Sequence, residues 1–183
     1  NFIFLSTFYT GIAYSSRLVV TVIYGVSIVI FFGFYLYFLS YSKKQKFDYK
    51  KLRLLFLSTL ILLFSYPTIL SYDIFNYLAT AKVTFFYIEN PYLVMPVEFL
   101  NDTMLMYTRA ANKYALYGPT WIFLTGIPFF LSFGNVLLQI FLFKVLVALF
   151  YIGTLFILYK LSKSYYSVIL FGLNPLVVME TFV

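Results

Sequence analysis

Residues 54–72 read LLFLSTLILLFSYPTILSY, and Asp73 follows at once. The run carries no charge and is close to the ~20 apolar residues that a helix needs to cross the hydrocarbon of a bilayer. Just upstream, Ser42–Arg53 holds Lys43, Lys44, Lys46, Lys50, Lys51 and Arg53 against a single acid, Asp48. A short loop this basic is expected on the cytoplasmic side. The crossing that follows carries the chain outward, so Asp73 is expected to emerge on the extracytoplasmic face. An ionisable residue held against the bilayer is a functional-site hypothesis by default.

The composition agrees with that reading. Hydrophobic residues make up 63% of the chain and charged residues 10%, whereas soluble domains carry roughly 25% charged residues. The expected class is an all-α integral membrane protein, a multi-span helical bundle forming a single membrane domain over 1–183. The formal charge of +7 does not point to nucleic acid, because the basic residues cluster at the ends of apolar runs. With no cysteine and no histidine, disulfides, thiolate metal sites and imidazole bases are excluded within these residues. Acid–base chemistry falls to Asp, Glu, Lys or Tyr. The chain starts at Asn1 and stops at Val183 inside an apolar run, and it reads as a fragment of a longer polytopic protein.

Working outward, the expected membrane helices are 17–42 and 54–72, then 117–133, 136–160 and 165–183. Between them, 73–116 is expected as a large extracytoplasmic loop with short interfacial helices. Ile74, Tyr77, Leu78, Ala81, Phe85 and Ile88 recur at helical spacing, the pattern of an amphipathic helix lying on a membrane. Glu89-Asn90-Pro91-Tyr92 ends it, since the residue before a proline is pushed out of the helical region. Pro119 suits a helix start, and Gly134-Asn135 interrupts further on. Charge placement after the loop conflicts with itself. Two crossings between the loop and Lys160-Lys163 leave those lysines outside; one crossing, with Trp121–Phe133 as a half-helix, puts them inside.

Four of the six acids lie in the loop: Asp73, Glu89, Glu98 and Asp102. Asp73 fits a general base and fits equally the N-cap of the helix it opens. Lys82, Arg109 and Lys113 sit on the side where basic residues are scarce, and an anion such as a lipid phosphate would meet them. The plainer reading is snorkelling, or pairing with Glu89 or Asp102. Lys144 and Glu180 lie in apolar runs, pathway-lining on one reading and near an interface on the other. Asn90-Pro91-Tyr92 and Tyr117-Gly118-Pro119 are turn sequences. No phosphate-binding glycine loop, zinc motif or nucleophile elbow is present.

In order, Ser71-Tyr72-Asp73-Ile74-Phe75-Asn76-Tyr77, Ala81-Lys82, Asn90-Pro91-Tyr92, Tyr117-Gly118-Pro119 and Asn174-Pro175-Leu176 with Glu180 resemble the polyprenol-phosphate-mannose-dependent mannosyltransferases, membrane glycosyltransferases of the GT-C type. The resemblance runs from Ser71 to the end of the chain. It departs from the family at Ala81-Lys82, where Gly-Arg is frequent. The resemblance implies a GT-C-like fold and inverting transfer of mannose from a polyprenyl-phosphate donor to a glycan or glycolipid acceptor. Asp73 would be the catalytic base, and Lys82 and Arg109 the phosphate contacts. Asn90, Tyr92, Tyr117 and Glu180 would shape the substrate site. Basic groups or a divalent cation would balance the leaving phosphate. A transporter or lipid flippase, with Asp73 as a helix cap, is the competing reading from another class.

Overall fold

The computed structural model describes residues 16–44, 49–64, 73–102, 104, 108 and 110–182. Among these there is no strand. In chain order the helices are α1 (Arg17–Lys44), α2 (Tyr49–Thr59, continued by a 3-10 segment Leu60–Phe64), α3 (Asp73–Phe85), α4 (Pro119–Leu131), α5 (Val136–Ser162), α6 (Tyr165–Gly172) and α7 (Pro175–Phe182). A short 3-10 turn, Pro96–Glu98, lies in the loop between α3 and α4. Two helices, α1 and α5, are long and apolar enough to cross a membrane. The expected span 54–72 is helical as far as Phe64, and 65–72 lie outside the described residues.

Local sequence explains the boundaries. The expected span 165–183 is two helices, because Pro175 has no N–H and disfavours helical geometry in the residue before it. Asn174 Oδ1 accepts from the Leu176 N–H at 3.0 Å and so serves a donor at the start of α7. Asn135 does the same for α5, accepting from the Leu138 N–H at 3.0 Å. Gly134, at φ +81°, supplies the left-handed turn between α4 and α5.

Three buried clusters assemble these helices. Phe75, Leu78, Met104, Ile140 and Phe143 join α3 to the first turns of α5. Ala148, Tyr151, Leu155 and Val168 join the second half of α5 to α6, with Phe56 of α2 packed against them. Tyr35, Leu39, Leu52 and Ile169 bring in α1. Helix α4 runs alongside α3 in the same direction: Trp121 meets Tyr77 at 5.3 Å and Phe130 meets Phe85 at 5.4 Å between ring centroids. Its thirteen residues span about 20 Å, less than the ~30 Å of hydrocarbon in a bilayer.

This packing gives α5 a direction. Phe143 stacks on Tyr77, one turn beyond Asp73, with centroids 6.2 Å apart. Lys160 lies seventeen residues further along α5, about 26 Å away at 1.5 Å per residue. Lys160 and Lys163 therefore share an end of the molecule with Lys43 and Arg53, and Asp73 stands toward the other.

Close packing at Gly172 holds the α6 break: a Cβ there would sit 2.6 Å from Phe56 Cε1 and 2.7 Å from Leu155 Cδ2, while one at Gly153 would meet nothing within 4 Å. Gly172→Ala is expected to lower stability by about 1–3 kcal/mol through overpacking. Gly153→Ala is expected to be neutral or to stabilise by up to ~1 kcal/mol through helix propensity. Thermal unfolding of the two variants checks the contrast, and equal effects would contradict the packing described.

Candidate functional site

Asp73 is the first residue of α3 and its side chain is exposed. A carboxylate there is favoured by the helix dipole and the unsatisfied N–H groups of the first turn. One turn on, Asn76 Nδ2 donates to Asp73 Oδ1 at 3.3 Å. The start of α4 lies beside it, since the Tyr77 and Tyr117 rings meet at 4.6 Å between centroids. Two helix N-termini thus open side by side at Asp73, which gives the place a positive electrostatic bias.

The two turn sequences form one unit that sets this arrangement. Asn90 Oδ1 accepts from the Tyr92 N–H at 3.0 Å, the Tyr92 hydroxyl donates to the Tyr117 carbonyl at 2.6 Å, and the Ala115 N–H donates to the Pro91 carbonyl at 2.8 Å. Asn90 and Tyr92 are exposed and clamp the chain just before α4, so their role is to place Tyr117 against Tyr77. Burial, the neighbouring Tyr77 phenol and the charge of Asp73 push the Tyr117 phenol up to about 12. It stays protonated over any working pH. Burial and Asp73 also raise the Tyr77 phenol. Asn76 Oδ1 and Trp121 Nε1, both buried beside Asp73, have no hydrogen-bond partner among the described residues.

Lys82 reaches Asp102 at 2.7 Å. Asp102 also accepts from the Tyr87 hydroxyl at 3.0 Å and the Met104 N–H at 2.8 Å, and Tyr87 stacks on Phe99 with centroids 3.8 Å apart. Pairing with Asp102 is the plainer of the two sequence readings of Lys82. Burial alone would raise the Asp102 carboxyl, but its bonds from Lys82, Met104 and Tyr87, with the Lys82 charge, hold it below the usual carboxylate range. This buried junction fastens the loop to α3.

Arg109 lies outside the described residues. Lys113 is exposed and lines a small cavity of about 20 Å³ together with Asn76, Thr80, Thr108 and Tyr117. Glu180 is exposed on α7, and among the described residues no hydrogen bond or ion pair joins it to the other site residues. Glu98 accepts from the Met95 N–H at 2.8 Å and caps the loop's 3-10 turn. Among the described residues no three His, Cys, Asp or Glu side chains come together as a metal-binding group.

Sequence reasoning had not assigned Asn76 a role of its own, although a side-chain amide three residues after an acid on one helix face is a readable signal. The Tyr87–Phe99–Asp102 junction carried no such signal. Comparison with known proteins adds no kinship: no family model, no curated protein and no solved structure matches the chain.

Because folding lowers the Asp102 pKa, its contribution to stability is complete above the unfolded value and disappears as pH falls through the folded one. The stability gap between wild type and Asp102→Asn is expected to be constant down to about pH 5 and to shrink below about pH 4, the ordinary Asp range. Lys82→Met, which strands the buried carboxylate, is expected to cost about 1.5–3 kcal/mol at neutral pH. Thermal unfolding across a pH series checks both, and a gap that widens on acidification would contradict the junction.

Proposed function

We propose that this chain is part of a multi-span membrane glycosyltransferase of GT-C-like architecture, with Asp73 at the extracytoplasmic face. It moves a sugar, mannose by the sequence resemblance, from a polyprenyl-phosphate donor to a glycan or glycolipid acceptor. The observation that carries the reading is the exposed Asp73 carboxylate standing where the N-termini of α3 and α4 meet. Placement of Lys43, Arg53, Lys160 and Lys163 together at the far end supports the orientation, since basic residues collect on the cytoplasmic side.

The chemistry asked of the site is a single displacement. Asp73 takes the proton from an acceptor hydroxyl, to which it must stand within about 2.6–3.2 Å, as the oxygen attacks the anomeric carbon. The bond from that carbon to the phosphate oxygen breaks, and configuration inverts. The polyprenyl phosphate leaves with the electron pair. Lys113 and the paired helix N-termini supply positive charge toward it, while Lys82, engaged by Asp102, holds the loop wall. Asn76 steadies the base through its amide hydrogen bond to Asp73.

The competing reading is a transporter in which Asp73 only caps a helix. Lys144, the buried cation of α5, bears on it: its ammonium donates to the Leu62 carbonyl at 3.3 Å and ties two helices together. That contact is a scaffold role, so nothing at Lys144 favours transport.

The test uses membranes containing the protein, labelled polyprenyl-phosphate-mannose and a panel of glycan and glycolipid acceptors. Wild type is expected to transfer label, and Asp73→Asn to lose at least ~100-fold while inserting normally, the scale of a lost general base. Equal transfer by both proteins would return Asp73 to a capping role.

A further inference from the structure

The end of the molecule opposite Asp73 holds a feature that the proposed transfer does not use. Between α2, the last turns of α5 and the start of α6 lies an open groove of about 300 Å³. Its walls are hydrocarbon: Phe56, Leu57 and Leu60 of α2 lie across from Ile152, Leu155 and Phe156 of α5. At one end the lining changes to Arg53, Tyr159 and Tyr165. The two tyrosine rings stack at 5.0 Å, with their hydroxyl oxygens 3.5 Å apart. Exposed Lys160 and Lys163 follow Tyr159 in the chain, and Lys43 sits 5.2 Å from the centre of the Tyr166 ring. All five acids among the described residues (Asp73, Glu89, Glu98, Asp102 and Glu180) lie outside this basic end.

We propose that this groove binds an anionic phospholipid of the leaflet at the basic end, with one acyl chain along the α2–α5 walls and the phosphate at Arg53, Tyr159 and Tyr165. The dimensions suit that occupant. Arg53 to Leu60 covers about 10 Å at 1.5 Å per residue, within the ~15 Å of a single leaflet's hydrocarbon. A guanidinium pairs two of its N–H groups with a phosphate in a way a lone ammonium cannot. Surrounding lysines bias the headgroup toward net negative charge. A peptide would find almost no polar partner for its backbone along these walls, and a free phosphate would gain nothing from them. The bound chain would fill the open space along the α2 and α5 walls, so occupancy should stabilise the fold. The inference rests on the bilayer placement and is independent of the chemistry at Asp73.

The experiment measures the thermal stability of detergent-purified protein titrated with phosphatidylglycerol, phosphatidylcholine or inorganic phosphate, for wild type, Arg53→Gln and Ile152→Trp. Ile152 is partly exposed on the groove wall, so the indole blocks the groove without entering the core. Phosphatidylglycerol is expected to raise the wild-type Tm saturably, and the other two additives are not. Arg53→Gln is expected to weaken the apparent affinity about fivefold, the worth of one basic residue toward an anionic lipid, and Ile152→Trp to abolish the shift. Equal stabilisation by phosphatidylcholine, the same shift from inorganic phosphate, or wild-type titrations from both variants would overturn the proposal. Recovery of the protein from the soluble fraction without detergent would overturn the bilayer placement and this site with it. An inserted protein with no preference for phosphatidylglycerol overturns this site alone.

Discussion

Helix breaks inside an apolar bundle leave carbonyl oxygens that water does not reach, and the fold depends on side chains that do. In hydrocarbon each unsatisfied backbone group costs several kcal/mol, on the order of ~2–7. Helix α6 stops at Gly172, and two tyrosines serve its last carbonyls: Tyr151 donates to Gly172 and Tyr35 to Leu170, both at 2.6 Å. Lys144 serves Leu62 in the 3-10 segment that continues α2. Each bond also links separate helices: α5 to α6, α1 to α6, and α5 to α2. The Asn174-Pro175 break and the tightened end of α2 are thus tolerated because their loose carbonyls have become the joints of the bundle.

From those joints follows a molecule with two unlike ends. The half containing Asp73 is built by α3, α4 and the first turns of α5, and its loop is held by hydrogen bonds among polar side chains and turns. The far half is built by α1, α2, α6 and the last turns of α5, and it gathers cations without described acids. The proposed orientation, with the basic end cytoplasmic, rests on that polarity. The same division separates the two proposed sites: an acid–base site under an ordered loop, and a lipid site among lysines.

Much of the helical content was legible in the sequence, because α1 and α5 are written in long apolar runs, the second half of α2 in another, and α3 in a helical spacing that follows Asp73. Asn135 was a readable cap that looked at first like an interruption. The packing of α5 was not legible, since Trp121 and Phe143 meet on Tyr77 only in the folded chain. Nor was the partner of Lys82, because Asp102 comes within reach only through the fold of the intervening loop. Tyr35 and Tyr151 are two of 19 tyrosines, and nothing local marks them as the ones that meet carbonyls. At the site, Asp73 and the turn residues were visible by pattern, whereas the side-by-side N-termini exist only in three dimensions.

The proposed transferase requires α5 to cross once, from the half that holds Asp73 to the basic end. The chain contains no cysteine, so single cysteines placed at Lys43, Glu89 and Lys163 report their own sides without background. Labelling intact cells with a membrane-impermeant maleimide is the most direct measurement. Labelling is expected at position 89, with protection at 43 and 163 until the membrane is opened. Labelling of 163 together with 89 would contradict it, because α4 would then have to cross the membrane.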